Sequence, residues 1–477
     1  MLEFALGPNS MDATEGVEDT LNRLQTEISC LESDKSTLLI QLERLNSSLS
    51  RLKARYGTVK NRTALVGGLP NEILAKVFEA GRDLDVPGAQ HFEVLASHVV
   101  SMWREIAITT PSLWSILEVS PSTSSDKLKT YIARAKACSL ELRFNFAQEV
   151  WVPDQFVWET ILPTVDQWRS LVISTGPDES ALYTTLAHLE SLRASLLEEI
   201  SIKRGDSSSM APATGGHHGF LNSAHCFHAG APLLKILRLE GTYLSSNWPP
   251  LTSISTLDLH HLRRSTRPSW NRFRDLLVSS LQLSSLSIYG DVVAGKPGSN
   301  LEIELPNLRS LRIRGTTPLG NRASDLLLTL SAPNLRSLTL FDIIYTDLDP
   351  FLDGSQLFQS LTSLTLYWPN FLRTTYIRLF ETMPSISHLT LMHRKPEEFL
   401  ALLRDPLAPS FFPCPHLIDF ALYPGNPHEG YLEDIVLNRA VHVPLQVLRL
   451  GMHADVPGVQ VLPFDLPPSW PAWPEQL

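Results

Sequence analysis

The hexapeptide LRSLRI occupies residues 308–313, and close variants of it recur at 335–340 (LRSLTL), 361–366 (LTSLTL) and 386–391 (ISHLTL). Most copies begin about 25 to 30 residues after the previous one. Apolar residues alternate with polar ones in each copy, which places the apolar side chains on one face of a short β-strand. One such strand cannot bury its own apolar face, but stacked copies form a continuous core. The pattern therefore predicts a leucine-rich solenoid.

The L-x-x-L-x-L pattern extends well beyond this block. Further copies are Trp168-Leu171-Ile173, Leu197-Ile200-Ile202, Leu234-Leu237-Leu239, Ile254-Leu257-Leu259, Leu283-Leu286-Ile288, Leu417-Phe420-Leu422 and Leu445-Leu448-Leu450. Between the strands, helical periodicity predicts helices at Arg274–Leu281, Ser324–Leu330, Tyr376–Thr382 and Glu397–Arg404. The resulting fold class is an α/β solenoid over residues 126–465, in a chain that is α+β as a whole.

The turns of this array depart from the usual leucine-rich pattern. Leucine-rich repeats carry Asn or Cys after the strand, where this chain has Thr242, Thr316, Ile343 and Pro369. Without that side-chain ladder we expect an irregular, loosely curved array. A doubly wound α/β domain would instead need longer apolar strands and a nucleotide-binding loop, and the sequence has neither.

A second pattern precedes the repeats, in LPNEILAKVFEAG at residues 69–81. Pro70 suits the first turn of a helix, where its missing N–H costs nothing, and Gly81 is expected to end that helix. Four apolar residues fall on one face at helical spacing: Ile73, Leu74, Val77 and Phe78.

Residues 91–114, HFEVLASHVVSMWREIAITTPSLW, predict a second amphipathic helix. Its expected inward residues are Leu95, Val99, Val100, Trp103, Ile106 and Ala107. Thr110-Pro111 ends this helix, and Leu113-Trp114 returns to the core. Taken alone, the periodicity favours a helical hairpin that caps the larger domain, because about 45 residues bury too little to be a robust domain.

The residue types in these two segments resemble an F-box, and in particular the F-boxes of mushroom-forming fungi. The resemblance is carried by Leu69-Pro70-x-Glu72-Ile73-Leu74-x-x-Val77-Phe78 and by Val99-x-x-x-Trp103-Arg104-x-Ile106-Ala107, followed by Thr110-Pro111-x-Leu113-Trp114. The family usually has Cys three residues before the Trp, where this chain has Val100, which keeps an apolar side chain there. We interpret residues 65–118 as an F-box.

This resemblance implies a function as well as a fold. An F-box docks on a Skp-family adaptor and, through it, on a cullin scaffold, while the repeats behind it hold a protein substrate for ubiquitination. The implied adaptor-binding residues are Leu69, Pro70, Glu72, Ile73, Leu74, Val77, Phe78, Val100 and Trp103. The chain itself would be neither an enzyme nor a carrier of a cofactor. The alternative is a non-catalytic leucine-rich scaffold whose F-box-like segment only caps the array.

The first sixty residues contain a heptad repeat, which predicts a coiled coil over residues 17–57 after a disordered stretch at 1–16. The a and d positions are Leu21, Leu24, Ile28, Leu31, Lys35, Leu38, Leu42, Leu45, Leu49, Leu52 and Tyr56. Leu at the d positions favours a coiled coil of two parallel helices, while the acidic start and basic end of the segment also suit antiparallel pairing of two helices. We therefore expect a homodimer through residues 21–56 with its orientation open. The alternatives are docking onto the same chain and a different partner.

Composition limits the remaining functions. The net charge of −10 argues against nucleic acid as the main partner, since phosphate binding needs clustered Lys and Arg. Four scattered cysteines suit a reducing compartment. The first residues do not form a signal peptide and no stretch is apolar enough to cross a membrane, so we expect a cytoplasmic or nuclear protein.

Few residues suggest chemistry. The stretch GHHGFLNSAHCFH ends at His228 and is rich in metal-ligand side chains, but its spacing matches no zinc motif, so a flexible insertion is the simpler interpretation and metal binding stays open. Nucleophile elbow, P-loop and HExxH motifs are absent. Residues 466–477 form a Pro- and Trp-rich tail, interpreted as an end-cap or a disordered segment, with a docking peptide as the alternative.

The outward strand positions are the best place for a substrate. Arg309, Arg312 and Arg336 form a local basic cluster within the most regular block of repeats. Because arginine pairs with carboxylates and phosphates, we expect an acidic or phosphorylated substrate segment there; an ordinary solvated face is the alternative.

Overall fold

The fold is seen in a computed structural model that describes residues 11–62, 65–83, 91–146, 151–176, 180–204, 226–241, 251–262, 267–298, 301–315, 323–352, 358, 360–393, 396–404, 413–423, 429–440, 444–450 and 456–463. The chain divides into two compact units, residues 1–113 and residues 114–477. The first unit is helical, and the second contains the predicted repeats.

The helical unit has four helices: α1 (Met11–Arg62), α2 (Asn71–Asp83), α3 (Phe92–Val99) and α4 (Ser101–Thr109). Short 3-10 turns lie at Leu65–Gly68 and Pro111–Trp114. α1 extends beyond the predicted coiled coil at both ends. It includes residues 11–16, for which the sequence predicts disorder, while residues 1–10 lie outside the described part of the chain.

The repeat unit contains sixteen described strands. They are β1 (Ile116–Val119), β2 (Leu140–Asn145), β3 (Trp168–Thr175), β4 (Glu199–Arg204), β5 (Ile236–Glu240), β6 (Thr256–His260), β7 (Ser285–Tyr289), β8 (Ile303–Glu304), β9 (Ser310–Arg314), β10 (Leu330–Ser331), β11 (Ser337–Phe341), β12 (Ser363–Tyr367), β13 (His388–Met392), β14 (Asp419–Tyr423), β15 (Val447–Leu450) and β16 (Gln460–Pro463). All but β8 and β10, which pair with each other, form one 14-stranded sheet in chain order.

This sheet is parallel throughout, and its register is regular. Leu311, Leu338 and Leu364 face one another across β9, β11 and β12, and all three are fully buried. From β3 to β16 no register shift interrupts the pairing of neighbouring strands. The solenoid prediction is thus confirmed at the level of a mixed α/β repeat fold, and the pairing is more regular than expected.

Helices connect most of the strands: α5 (Ser125–Ala135), α6 (Gln155–Ile161), α7 (Ser180–Leu189), α8 (Trp270–Ser279), α9 (Ala323–Thr329), α10 (Tyr345–Leu352), α11 (Arg373–Thr382), α12 (Glu397–Arg404) and α13 (Glu429–Ala440). From α9 to α13 each helix packs against the next. The four predicted helices are all present, with ends that differ by a few residues. Within the described residues, no helix is long and apolar enough to span a membrane.

The residue after most of the central strands prolongs the ladder through its backbone. The amide of Asp342 donates to the carbonyl of Tyr367 at 2.8 Å, for example. His261, Asp342 and Trp368 have left-handed φ values of 42°, 53° and 48°. Gly290 holds the equivalent place with φ of 72°, and a Cβ there would lie 2.3 Å from the ring of His261. A left-handed residue thus begins the turn, one position before the sites such as Ile343 and Pro369 where leucine-rich repeats carry Asn or Cys.

Side chains form a ladder at the opposite end of the strands. The Asn307 amide donates to the carbonyl of Leu281 and that of Asn334 to the carbonyl of Pro306, both at 2.8 Å. Hydroxyls also donate to the carbonyl of the preceding repeat, at Ser255, Ser284, Thr362 and Ser387. The repeats thus have a side-chain ladder before the strands, whereas the sequence predicts that the turns after the strands lack one.

The repeat unit also begins earlier than predicted. Trp114 is its first residue, and the Trp114 ring packs edge-on against Tyr131 of α5 with centroids 5.0 Å apart. Strand β1 follows directly, so the last residues of the predicted F-box, up to 118, belong to the sheet. At the other end the sheet closes with β16, close to the predicted limit at 465.

Candidate functional site

Helix α2 carries two apolar stripes, only one of which is buried. Leu74 and Phe78 are each 1 % exposed, whereas Ile73 and Val77 are 48 % and 51 % exposed. Residues four positions apart lie above one another on a helix, so each pair forms its own stripe. Leu69, 38 % exposed, lies four positions before Ile73 and extends the exposed stripe. The four residues predicted to share one face therefore divide into a buried pair and an exposed pair.

The buried stripe forms the core of the helical unit. The ring of Phe78 lies 5.0 Å from that of Trp103 and 6.3 Å from that of Phe92, measured between centroids. Gly81 allows this packing, since a Cβ on it would lie 2.4 Å from the Phe92 ring. α2 continues to Asp83, so Gly81 permits close approach and does not end the helix as predicted.

The predicted second helix is two helices. Val100 is extended, with φ of −147° and ψ of 161°, and separates α3 from α4. Arg104 stabilises the break, because its Nε donates to the carbonyl of Ser97 at 2.8 Å near the end of α3. The break changes which residues face inward. Leu95 and Val99 are 44 % and 57 % exposed, contrary to the prediction.

The remaining inward predictions divide by burial. Ile106 and Ala107 are buried as expected, whereas Val100 and Trp103 are half-buried. Leu113, before the unit boundary, is buried.

Polar contacts attach the end of this unit to α2. Glu79 lies 2.5 Å from the hydroxyl of Ser112, and Arg82 donates to the carbonyl of the same serine. Lys76 pairs with Glu79 at 2.6 Å. Hydrogen bonds from Lys76 and then Ser112 lower the pKa of the Glu79 carboxyl, so it stays charged. α2 is therefore held by its polar and buried sides, which leaves its exposed stripe unused within the helical unit.

The nine predicted adaptor-binding residues fall into three groups. Five are exposed: Leu69, Pro70, Glu72, Ile73 and Val77. Val100 and Trp103 are half-buried, and Leu74 and Phe78 are buried. A partner can contact the first group directly. Leu74 and Phe78 instead support the surface from within, and this distinction is not readable from the spacing alone.

The predicted basic cluster lies on the sheet face opposite the leucines and along its edge. Arg309 and Arg336 hold equivalent positions just before β9 and β11, and the amide of Arg336 donates to the carbonyl of Arg309 at 2.9 Å. Both side chains are exposed, and no described residue forms an ion pair with either. Along this row the two arginines lie between Ser284 on one side and Thr362 on the other.

Arg312 is placed differently from the other two. It lies in the middle of β9, beside Ser287 and Thr339 in the register, and is half-buried. Burial lowers the pKa of its guanidinium, and the nearby Asp258 opposes that shift. The structure therefore brings Arg309 and Arg336 together as exposed neighbours, with Arg312 further along the strand.

An aromatic row at the strand ends was missed by the sequence reasoning. The Arg314 guanidinium lies 4.2 Å from the ring centroids of both Tyr289 and Phe341, and Phe341 stacks on Tyr367 with centroids 5.4 Å apart. Burial raises the pKa of Tyr367 to about 12. Each of these residues directly follows the last leucine or isoleucine of its L-x-x-L-x-L pattern. Comparing that position across the repeats would have revealed the row.

Charged residues cross the same face at β4 to β6. Arg238 bridges Glu199 and Asp258, with 3.2 Å to Asp258. His260 lies two residues after Asp258 in β6. Burial lowers the pKa of His260 to about 4, although the charge of Asp258 favours the protonated form of the histidine. A satisfied arginine between two carboxylates is a structural arrangement, and it offers no acid–base pair for catalysis.

The other residues considered for metal binding receive little support from the structure. Within the described residues no group of three His, Cys, Asp or Glu side chains could hold a metal ion. His217, His218 and His225 lie outside those residues, as does the tail at 466–477. Cys226 is described and buried, which raises the pKa of its thiol well above the ordinary value and disfavours the thiolate that zinc binding requires.

Comparisons with known proteins add weak similarity only. No protein-family model matches the chain, and no curated protein matches it. Among solved structures, a crystal structure of the Rad7 and Elc1 complex in yeast is similar with a TM-score of 0.35 and 15 % identity, covering 90 % of this chain and 97 % of that one. Similarity at this level adds nothing to what the strands and helices themselves show.

Proposed function

We propose that this chain is the substrate-recognition subunit of an SCF-type ubiquitin ligase, with residues 69–109 binding a Skp-family adaptor and the repeat unit binding the substrate. One observation carries the proposal. The F-box-like residues Leu69, Ile73 and Val77 form an exposed apolar stripe, while their neighbours Leu74 and Phe78 form the core.

The exposed stripe favours docking over a purely structural role. A segment that served only as a cap would bury its apolar residues, whereas Ile73 and Val77 on one face of α2, and Leu69 just before the helix, are exposed here. Leu95 and Val99 of α3 are exposed at the same four-residue spacing. Amphipathic helices that leave such a stripe uncovered commonly use it to bind a protein partner.

In this proposal the chain performs no covalent step. The adaptor and cullin bring a ubiquitin-loaded enzyme to the complex, and the repeat unit holds the substrate near it. The rate gain comes from the raised effective concentration of the acceptor lysine. We place this activity in the cytoplasm or nucleus, where the adaptor is available.

For the substrate we propose an acidic or phosphorylated segment at Arg309 and Arg336, with Arg312 nearby. The two exposed arginines lie just before the adjacent strands β9 and β11 and have no described acidic partner, so both can pair with an incoming carboxylate or phosphate.

Co-expression tests the adaptor proposal most simply. The full chain and a Skp-family adaptor should co-purify as a stable complex by size-exclusion chromatography. A folded chain that elutes without the adaptor would leave only the scaffold alternative.

A second experiment tests the substrate surface. The double variant Arg309→Ser/Arg336→Ser should lose an acidic or phosphorylated target in pull-downs while keeping the adaptor. Arg272→Ser/Arg373→Ser is the matched control, since these arginines are also exposed but lie on helices. An identical set of captured proteins for both variants and the wild type would remove the surface from consideration.

A further inference from the structure

Helix α1 presents an apolar stripe that its own chain leaves uncovered. Every residue from Asp19 to Tyr56 is exposed, and the core heptad positions are 50 % to 70 % exposed, from Leu24 and Leu49 to Tyr56. At about 1.5 Å per residue, the stripe from Leu21 to Tyr56 extends for about 53 Å. A stripe of that length and regularity needs a second helix beside it.

We infer that a second copy of this chain covers the stripe, and that the two α1 helices run antiparallel, with Tyr56 of each copy facing Leu24 of the other. This inference is independent of the proposed ligase function. Three observations on the positions beside and within the stripe decide the orientation.

The first is the polar core position Lys35. In a parallel pair the a positions face each other, so the two Lys35 ammonium groups would meet inside the interface. In the antiparallel pair each Lys35 faces Leu45 of the other copy, and the two ammonium groups are about 15 Å apart along the axis. Leucines then surround each Lys35 stem, and its charged end reaches solvent.

The second is the charge at the flanking positions. A parallel pair places Glu27 of each copy beside Glu32 of the other, and Arg55 beside Lys60, so like charges meet at both ends. The antiparallel pair places Glu27 of each copy beside Arg55 of the other. Two attractive pairs replace four repulsive ones.

The third is Leu39, which lies beside the core stripe and is 55 % exposed. In a parallel pair the two Leu39 side chains lie on opposite flanks of the coiled coil and stay in solvent. In the antiparallel register they face each other at its centre and extend the apolar interface there. Shifting the antiparallel register by one heptad would instead place Leu39 beside Glu32 or Asn46, depending on the direction, and would separate Glu27 from Arg55.

The orientation has a structural consequence. The Tyr56 residues of the two copies lie about 48 Å apart along the coiled-coil axis, whereas in a parallel pair they would be neighbours. The chain segments that leave α1 therefore depart from opposite ends of the coiled coil.

Charge reversal in the full chain tests the orientation, because the two arrangements predict opposite signs. Glu27→Arg and Arg55→Glu should each weaken self-association roughly four- to thirtyfold by analytical ultracentrifugation, and the double variant should restore it. Arg44→Glu is the matched control, since position 44 lies outside the interface in both arrangements. If either single reversal strengthens the dimer, or if the wild type is a monomer at micromolar concentration, the inference is wrong.

Crosslinking gives a second readout that does not depend on affinity. In a Cys30→Ser background, Leu39→Cys should give covalent dimers with a short bis-maleimide, whereas Leu38→Cys should not form a direct disulfide. Disulfide-linked dimers of the Leu38→Cys variant would show the parallel arrangement instead.

Discussion

The repeat unit and the helical unit treat their apolar residues differently. In the repeat unit the alternating leucines of each strand are buried, as Leu311, Leu338 and Leu364 are. In the helical unit Ile73 and Val77 remain about half exposed, and the heptad leucines of α1 are 50 % to 69 % exposed. Both sets are regular in sequence, but only the first is satisfied within its own chain.

The difference follows from how each pattern finds its neighbour. A solenoid strand always meets the next repeat, since the chain itself supplies an equivalent strand about 25 to 30 residues later. The helices of the small unit are not followed by equivalent helices that could cover them. The neighbouring helices bury only one of the two apolar stripes of α2. The unburied stripe is therefore the surface on which another molecule can dock.

The largest effect expected from this comparison is on core leucines of the sheet. Leu364→Ala should lower the free energy of unfolding of the repeat unit by about 2–5 kcal/mol, because it removes buried methyl groups and leaves a cavity. Val77→Ala on the exposed stripe of α2 should change stability by no more than about 0.5 kcal/mol. Urea denaturation of the full chain measures both. Equal losses of unfolding free energy for Leu364→Ala and Val77→Ala would contradict the difference between the buried leucines of the sheet and the exposed stripe of α2.

A smaller effect concerns the pH dependence of the repeat unit. The pKa of His260 is near 4 in the folded chain and near 6.5 when the residue is free, so the unfolded chain binds the proton first as the pH falls. His260 thus contributes stability that is present above pH 6.5 and is lost as the pH falls toward 4. The loss should be on the order of 1–3 kcal/mol.

The His260→Phe variant isolates this contribution, since it keeps a ring against Tyr289 and cannot be protonated. Its unfolding free energy should fall less than that of the wild type between pH 7 and pH 4. If the unfolding free energies of the two proteins fall by the same amount between pH 7 and pH 4, His260 does not titrate as described.

A still smaller effect should come from the ladder before the strands. Asn334→Ala removes the 2.8 Å hydrogen bond to the carbonyl of Pro306 in an exposed turn, which should cost about 0.5–1.5 kcal/mol. Asn334→Asp retains an acceptor but no donor, so it should not restore the loss. Thermal melts of the two variants against wild type check this, and an unchanged melting temperature would show that the ladder is dispensable.

Much of the repeat unit was readable from the sequence, because buried strands need leucine at every inward position. The strands missed are instructive. β1 has the pattern Trp114-Leu117-Val119, which was assigned to the F-box because Trp114 also fits that motif. β2 has Ser139 where the leading apolar residue of the repeat is expected, so CSLELRF at residues 138–144 has the alternation of a strand but does not match the repeat pattern.

The helical unit was less readable for a physical reason. Helical spacing shows that Ile73, Leu74, Val77 and Phe78 are apolar together, but adjacent stripes are only about 100° apart, and the neighbouring helices decide which one is covered. The break at Val100 was equally hidden, since a valine in an extended conformation leaves no composition signal. The candidate surface therefore emerged only from the burial pattern.

Adaptor affinity of the Ile73→Asp variant tests the central claim most directly, measured by calorimetry with the full chain and a Skp-family adaptor. Leu437→Asp is the matched control, since Leu437 is 67 % exposed on α13 of the repeat unit. The account predicts that Ile73→Asp weakens binding by at least roughly thirtyfold with an unchanged melting temperature, while Leu437→Asp binds as the wild type does. Wild-type affinity in a folded Ile73→Asp variant would contradict it.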